Sequence, residues 1–260
     1  MTPIAPLFVP GHRPDRFPKA AAAGADAVII DLEDAVPHEE KAAARTNAAA
    51  ARLEGIPVYV RINPAGTRWY SEDLAALADA DLAGILLPKA DNPATIDGMR
   101  RLIGAMDVIA LIESARGLAA AREIAAGGAA GLCFGSLDFA ADLGCAHTRQ
   151  ALLSARAELV LASRLAGIEA PLDGVTAQIG DDALTEDDAR HAAELGFGGK
   201  LLIHPRQVAP ALRGFAPSAE EVAWAGKVMQ AGGSGAVSVD GMMIDAPVRM
   251  RAERILARAR

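Results

Sequence analysis

The sequence predicts an α/β protein, a (βα)8 TIM barrel carrying a C-terminal appendage. Short runs rich in Val, Ile and Leu alternate with longer alanine-rich amphipathic stretches, the pattern of successive strand–helix units on a parallel sheet. The hydrophobic fraction is 52% with only 4% aromatic, so small side chains must pack helices closely onto that sheet. The chain has 260 residues, a normal length for one barrel.

Eight strands are expected: PLFVP (6–10), AVIID (27–31), VYVRI (58–62), GILLP (84–88), VIALIE (108–113), GLCFG (131–135), APLDGV (170–175) and KLLIH (200–204). Helices are expected between them, among others over 38–55, 73–80, 92–105, 114–128 and 148–167, several opened by a capping residue and closed by glycine. No linker or composition break interrupts residues 1–230, which form the expected barrel domain. Residues 231–260 are the expected appendage: the glycine-rich hinge in QAGGSGAVS, then VDGMMIDAPVRMRAERILARAR, which ends in a basic helix.

Charge and composition exclude several classes of function. A net charge of −7 and a pI near 5.3 leave no extended basic face for nucleic acid. No apolar run is long enough to span a membrane, and the N-terminus lacks the charged start of a secretory signal. A soluble cytoplasmic protein is expected. Cys133 and Cys145 have no metal-ligand spacing and read as plain thiols.

In such a barrel the chemistry collects at the C-terminal ends of the strands. Those ends read PGHRPDR, DLED, RINP, LPKAD, IES, FGSLDF, LDG and IHPRQ. The carboxylates of DLED (31–34) need a counter-charge, which Arg61, Lys89 or a metal ion can supply. Glu113 and Asp138, on adjacent strands, can converge on one hard cation, or each can cap the helix that follows. Their shared location with Arg61 favours the cation. Arg61 lies in an apolar strand and must be paired, either with Glu33 or Asp34 or with a substrate carboxylate; the geometry of a guanidinium favours the second.

Taken in order, LFVPGHRPDRFPKA, ADAVIIDLEDAV, Lys41, Arg45, VRINPAGTRWYSEDL, GILLPKAD, ALIESARGL, FGSLDFAADLG and IHPRQV resemble the HpcH/HpaI aldolase and citrate lyase β-subunit superfamily, over about residues 6–230. The resemblance implies a Mg²⁺-dependent enzyme, often a homotrimer, that cleaves a C–C bond in a 3-hydroxyacyl thioester of citryl, malyl or citramalyl type. The products are a 2-oxo acid and an acyl thioester. It makes Glu113 and Asp138 the metal ligands, Arg61 the anchor of the substrate carboxylate, and Glu33 and Asp34 acids that order water around the metal. Pro88 and Lys89 fall beside the substrate, Lys89 preferably as an ion-pair partner of those acids.

Phe8, Arg13, Arg16 and Lys19 lie near the family's pantetheine and CoA-phosphate region, although arginines at a helix entry are commonly just solvated. DGMMIDAPV resembles a lid in which an aspartate, here Asp245, reaches a neighbouring subunit's site as acid/base; an ordinary Asp-x-Pro turn is the bland reading. Other readings are a malyl-CoA-type thioesterase, a class II aldolase on free 2-oxo acids, and a citrate lyase subunit dependent on an acyl-carrier protein. Ser136 shows no His–Asp partner pattern, which argues against a serine hydrolase. His204 reads as structural, and His12, His38, His147 and His191 show no ligand spacing.

Overall fold

The computed structural model describes residues 3–231, 237–239 and 242–259. Eight parallel strands run in sequence order around a barrel: β1 (Pro6–Pro10), β2 (Ala27–Asp31), β3 (Val58–Arg61), β4 (Gly84–Leu87), β5 (Asp107–Ile112), β6 (Gly131–Phe134), β7 (Leu172–Asp173) and β8 (Gly199–Lys200). The circle closes just past β8, where Leu202 bridges Leu7 and accepts the Phe8 N–H at 2.8 Å. The expected fold is therefore the observed one.

Two-residue periodicity sorts the strand side chains. Val28, Ile30, Val58, Val60, Ile85 and Leu87 face outward, where alanines such as Ala44, Ala48 and Ala121 let the helices approach. Ala27, Ile29, Tyr59, Leu86, Ile109, Leu111, Cys133 and Leu201 fill the barrel interior. Extending that inward set by two residues places Asp31, Arg61 and Glu113 as the top layer, at the mouth. Register holds them there: Asp31 lies opposite Arg61, and a one-residue slip would turn both out of the barrel.

The surrounding helices are α1 (Phe17–Ala21), α2 (Lys41–Ala50), α3 (Arg68–Leu77), α4 (Pro93–Ile103), α5 (Ala115–Ala126), α6 (Ser136–Leu143), α7 (Leu153–Ala166), α8 (Asp182–Leu195), α9 (Val208–Phe215) and α10 (Ala219–Gln230). Four differ from the expected pattern: α2, expected over 38–55, covers only Lys41–Ala50, and the backbone turns extended at Ala51. The third begins at Arg68, because Asp73, expected at its start, is instead a buried acceptor for the Asn63 backbone and side-chain N–H groups, at 2.9 and 2.7 Å. FGSLDF, expected only as a strand end, opens a helix capped at Gly135 and stopped by left-handed Gly144. The helix expected from 148 begins at Leu153.

A hairpin of β9 (Val237–Val239) and β10 (Met242–Ile244) leads into α11 (Ala246–Arg258). That helix packs on α10 through Ala225, Val228, Ile244, Ala252 and Ile255. Most of the expected hinge, residues 232–236, lies outside the described residues. Among the described residues no helix is long and apolar enough to cross a membrane.

Candidate active site

The carboxylates of DLED are divided among the available cations. Asp31, 1% exposed, accepts Arg61 Nε on Oδ1 and Nη2 on Oδ2, both at 2.7 Å. It also accepts the backbone N–H groups of Glu33 and Ala35 at 2.9 and 3.0 Å. Burial alone would raise its pKa, but the guanidinium and these donors hold it below the usual carboxylate value. Arg61 Nη1 then lies 3.0 Å from Glu33 Oε2 and 3.4 Å from Asp34 Oδ2. Burial works against the guanidinium's charge, yet Asp31, Glu33 and Asp34 keep it firmly protonated.

The sequence named Glu33 or Asp34 as protein partners of Arg61. The two-pronged partner is Asp31, whose signal was its inward position opposite Arg61. Phe8 covers the guanidinium, 4.9 Å from its ring centroid.

Lys89 forms the expected ion pair, with Nζ 2.7 Å from Glu33 Oε1, but its side chain is half exposed. Its backbone matters as much. At φ 49° it is the one non-glycine residue in the left-handed region among those described, a conformation strained for a residue with a Cβ. That turn directs the Lys89 N–H onto Glu113 Oε2 at 2.9 Å. Pro88 is buried beneath this turn and does not line the cavity.

Lys41, 5% exposed, ties the loops below: its Nζ donates to Leu32 O, Glu33 O and Asn63 Oδ1 at 2.7, 2.8 and 2.7 Å.

Glu113, 4% exposed, projects from the end of β5. Burial, reinforced by Glu33, pushes its pKa up to about 8, and the Lys89 and Arg61 charges recover only part of the cost. Asp138 stands in the first turn of α6 and is exposed. Both line one cavity of about 420 Å³ at the barrel mouth, together with Phe8, Asp31, Arg61 and Ser136. A larger cavity of about 620 Å³ lies between α8, α9 and α11, away from the strand ends. It gathers no buried carboxylate, so the chemistry belongs to the smaller one.

Asp31, Glu33, Asp34, Glu113 and Asp138 outnumber Arg61 and Lys89, and this excess suits a divalent cation. Among the described residues no cluster of three His, Cys, Asp or Glu side chains forms a complete ligand cage. A hard cation held by two carboxylates, with its remaining positions given to water and substrate oxygens, needs none.

The sequence reading missed Gly135. A Cβ there would lie 2.3 Å from Glu113 Cγ and 2.7 Å from Oε1, so the glycine is the space the carboxylate occupies. If Glu113 holds the cation, Gly135→Ala is expected to displace it and weaken Mg²⁺ binding about 10- to 100-fold, the loss typical when a ligand's support is disturbed. Isothermal titration would measure it; unchanged affinity would mean that the carboxylate can sit elsewhere.

The remaining expected residues stay apart from the cavity. Arg13 is forked onto Asp15 at 2.9 and 3.0 Å, while Arg16 and Lys19 are exposed on the loop and helix after β1. Asp245 caps α11, accepting the Val248 N–H at 3.1 Å, and does not line the cavity. His204 likewise caps a helical turn through the Arg206 N–H, and His147, which shows no ligand spacing in the sequence, bonds Ser136.

The sequence model of the HpcH/HpaI aldolase/citrate lyase family matches residues 5–205. A citrate lyase subunit beta-like protein of Mycobacterium tuberculosis is 40% identical over 263 residues, covering 97% of this chain and 94% of the relative. A (3S)-malyl-CoA thioesterase of Cereibacter sphaeroides is 33% identical over 267 residues, covering 97% and 93%. The crystal structure of CitE from M. tuberculosis in complex with magnesium, acetoacetate and coenzyme A superposes with a TM-score of 0.90 at 38% identity, covering 98% of this chain and 97% of that one.

Proposed function

We propose a function from one premise: the chain belongs to the HpcH/HpaI aldolase/citrate lyase family. It is a Mg²⁺-dependent carbon–carbon lyase that cleaves a 3-hydroxyacyl thioester, of citryl-, malyl- or citramalyl-CoA type, into a 2-oxo acid and an acyl thioester. The observation that carries this reading is Glu113, a buried carboxylate with a strongly raised pKa that shares the mouth cavity with Asp138. Such a pair calls for a hard cation, and the CitE structure named above is a complex with magnesium. When bound, Mg²⁺ supplies Lewis acidity to the substrate's hydroxyl and carboxylate oxygens.

The chain's own residues do the rest. Arg61, fixed by Asp31, orients the substrate carboxylate; its loosest partner is exposed Asp34 at 3.4 Å, which the incoming carboxylate replaces. Glu33, held between Arg61 and Lys89, carries a pKa raised by burial. With Asp34 it receives the proton that the substrate hydroxyl loses. Phe8 and the exposed cations Arg13, Arg16 and Lys19 flank the path on which the thioester arm and its phosphates lie. Asp245 caps a helix within its own chain, so for it to act on the reacting atoms it must come from a second copy, in an assembly such as the homotrimer the family resemblance implies.

A second reading, hydrolysis of the thioester, is favoured by the malyl-CoA thioesterase among the relatives. Mass-spectrometric product analysis with malyl-, citramalyl- and citryl-CoA, each with Mg²⁺ and with chelator, separates the two. An acyl-CoA plus a 2-oxo acid is the expected result. Free CoA with the hydroxy acid intact establishes hydrolysis, and no turnover of any CoA thioester moves the substrate to an acyl-carrier protein.

A further inference from the structure

Lys41 opens α2, yet its side chain is buried and turns under the loop that carries the DLED acids. Its Nζ donates to Leu32 O, Glu33 O and Asn63 Oδ1, and three acceptors require the three N–H bonds of an ammonium. All three are uncharged oxygens, although a buried cation is ordinarily paired directly with an acid. Burial lowers its pKa, and the attraction of Asp31, Glu33, Asp73 and Asp34 opposes that through space. The Trp69 ring covers the ammonium, with its centroid 5.2 Å from Nζ. The three bonds therefore go to loop and amide oxygens, and what they fix is the course of the backbone.

Asn63 is itself held in one orientation. Asp73 has only acceptor oxygens, and its Oδ2 takes both Asn63 N–H groups, which leaves the amide oxygen for Lys41. Arg45 Nε donates to the other Asp73 oxygen at 2.8 Å, and Arg45 Nη2 lies 2.8 Å from exposed Glu72. One chain of donors and acceptors thus runs from the surface of α2 and α3 to the backbone of Leu32 and Glu33. Glu33 is gripped on both sides: its N–H donates to Asp31 Oδ1 at 2.9 Å, and its C=O accepts Lys41 Nζ at 2.8 Å. Its carboxylate is held less firmly. Oε1 takes a bond from the half-exposed Lys89 side chain, while Oε2, 3.0 Å from Arg61 Nη1, accepts no hydrogen bond among the described residues. The aim of that carboxylate is set by the backbone below it.

We propose that Lys41, seated on Asn63 and Asp73, is a positioning residue: it holds the Glu33 backbone so that the Glu33 carboxylate stands between Arg61 and Lys89 at the barrel mouth. The inference deepens the lyase reading above and rests on it for the effect on turnover, since Glu33 serves the reacting hydroxyl there and Lys41 acts through Glu33. Neither Lys41 nor Asn63 lines the mouth cavity. Arg61 is anchored separately, by its fork onto Asp31 and by the register of β2 against β3, so loss of Lys41 separates the aim of the acid from the hold on the substrate.

Lys41→Met keeps an unbranched stem and donates nothing. In crystals of the metal-free variant the Glu33 carboxylate is expected to leave Arg61 Nη1 while the Asp31–Arg61 fork stays in place. With Mg²⁺ and the thioester that the wild type cleaves, kcat is expected to fall about 10- to 100-fold, the loss typical when the support of a site residue is removed. KM is expected to stay within about twofold, because the substrate's anchor is untouched. Asn63→Ala, which removes one of the three acceptors, should shift kcat the same way by a smaller factor. Leu159→Ala opens a cavity under α7, away from α2, and serves as a chain destabilised without touching the loop. Assayed well below its melting temperature, it should keep the wild-type kcat.

An unmoved Glu33 in the Lys41→Met crystals would overturn the proposal, as would a wild-type kcat in that variant. So would a fall in kcat that Leu159→Ala reproduces, because lost stability would then be its cause. If Lys41→Met does not fold, Asn63→Ala carries both readouts, and a wild-type kcat with Glu33 in place again overturns the role. A wild type that cleaves none of malyl-, citramalyl- and citryl-CoA ends the lyase reading alone; the position of Glu33 in the variant crystals still decides whether Lys41 aims it.

Discussion

Glu113→Gln is expected to abolish Mg²⁺-dependent turnover, lowering kcat/KM by roughly 10³-fold, since Lewis-acid stabilisation is worth several kcal/mol and each 1.36 kcal/mol is tenfold. The same residue sets a pH dependence. Its folded-state pKa of about 8 stands above the ordinary 4.5. Below 4.5 the carboxyl is protonated whether the chain is folded or not, and it costs nothing. Between 4.5 and 8 the folded protein keeps a proton that the unfolded chain has released, so stability without metal falls as pH rises.

A divalent cation removes the cause of that loss. Mg²⁺ is expected to bind with release of a proton, more tightly as pH rises, and to level off above about pH 8. Differential scanning calorimetry across this range, with and without Mg²⁺, would show the thermal shift growing with pH in wild type and absent in Glu113→Gln. A shift that does not change with pH would mean Glu113 is ionised before the metal arrives.

Arg61→Met is the other substitution with a large expected effect, and it acts on stability as well as on substrate. It strips Asp31, 1% exposed, of both of its charge-assisted bonds and leaves a buried carboxylate without a counter-charge, a loss of about 3–5 kcal/mol. For a chain of this length that lowers the melting temperature by roughly 10 °C. Asp31→Asn in the same chain is expected to recover much of the stability and none of the activity, which separates the pairing of Arg61 from its proposed hold on the substrate. If the single substitution melted like wild type, the forked bond to Asp31 would not be holding the mouth together.

The strand pattern was legible because parallel strands buried on both faces write themselves as short apolar runs. Extended by two residues, that same pattern delivers Asp31, Arg61 and Glu113 to the mouth. Glu113 could be singled out because it directly follows such a run, and Asp138 because it follows GLCFGSL on the next strand. Local periodicity does not say which groups meet across elements. Asp31 as the partner of Arg61 requires the register between β2 and β3; Gly135 as the berth of Glu113 requires β5 beside β6. Ser136 and His147 sit 11 residues apart, on the two sides of a helix the sequence reading had taken for a strand end, so their contact had no pattern to reveal it. Asp245 is the converse case: its motif stood out in the sequence, while in the fold its side chain is engaged in capping α11.

The unevenness of the barrel wall has a mechanical consequence. β1 and β2 run paired from Pro6 opposite Ala27 to Pro10 opposite Asp31, whereas β6 meets β7 at Cys133 opposite Leu172, and β7 and β8 are two residues each. A cylinder built this way has a stiff half and a seam. Local opening follows the line of fewest ladder bonds, so backbone amides along the edge between β6 and β7 should give up their protons to solvent sooner than those of Ile29 and Ile30. Arg61 and its acids stand on the stiff half, Ser136 and His147 on the seam. The ion pairs of Arg61 are thus mounted on the part of the wall with the longest runs of paired strand.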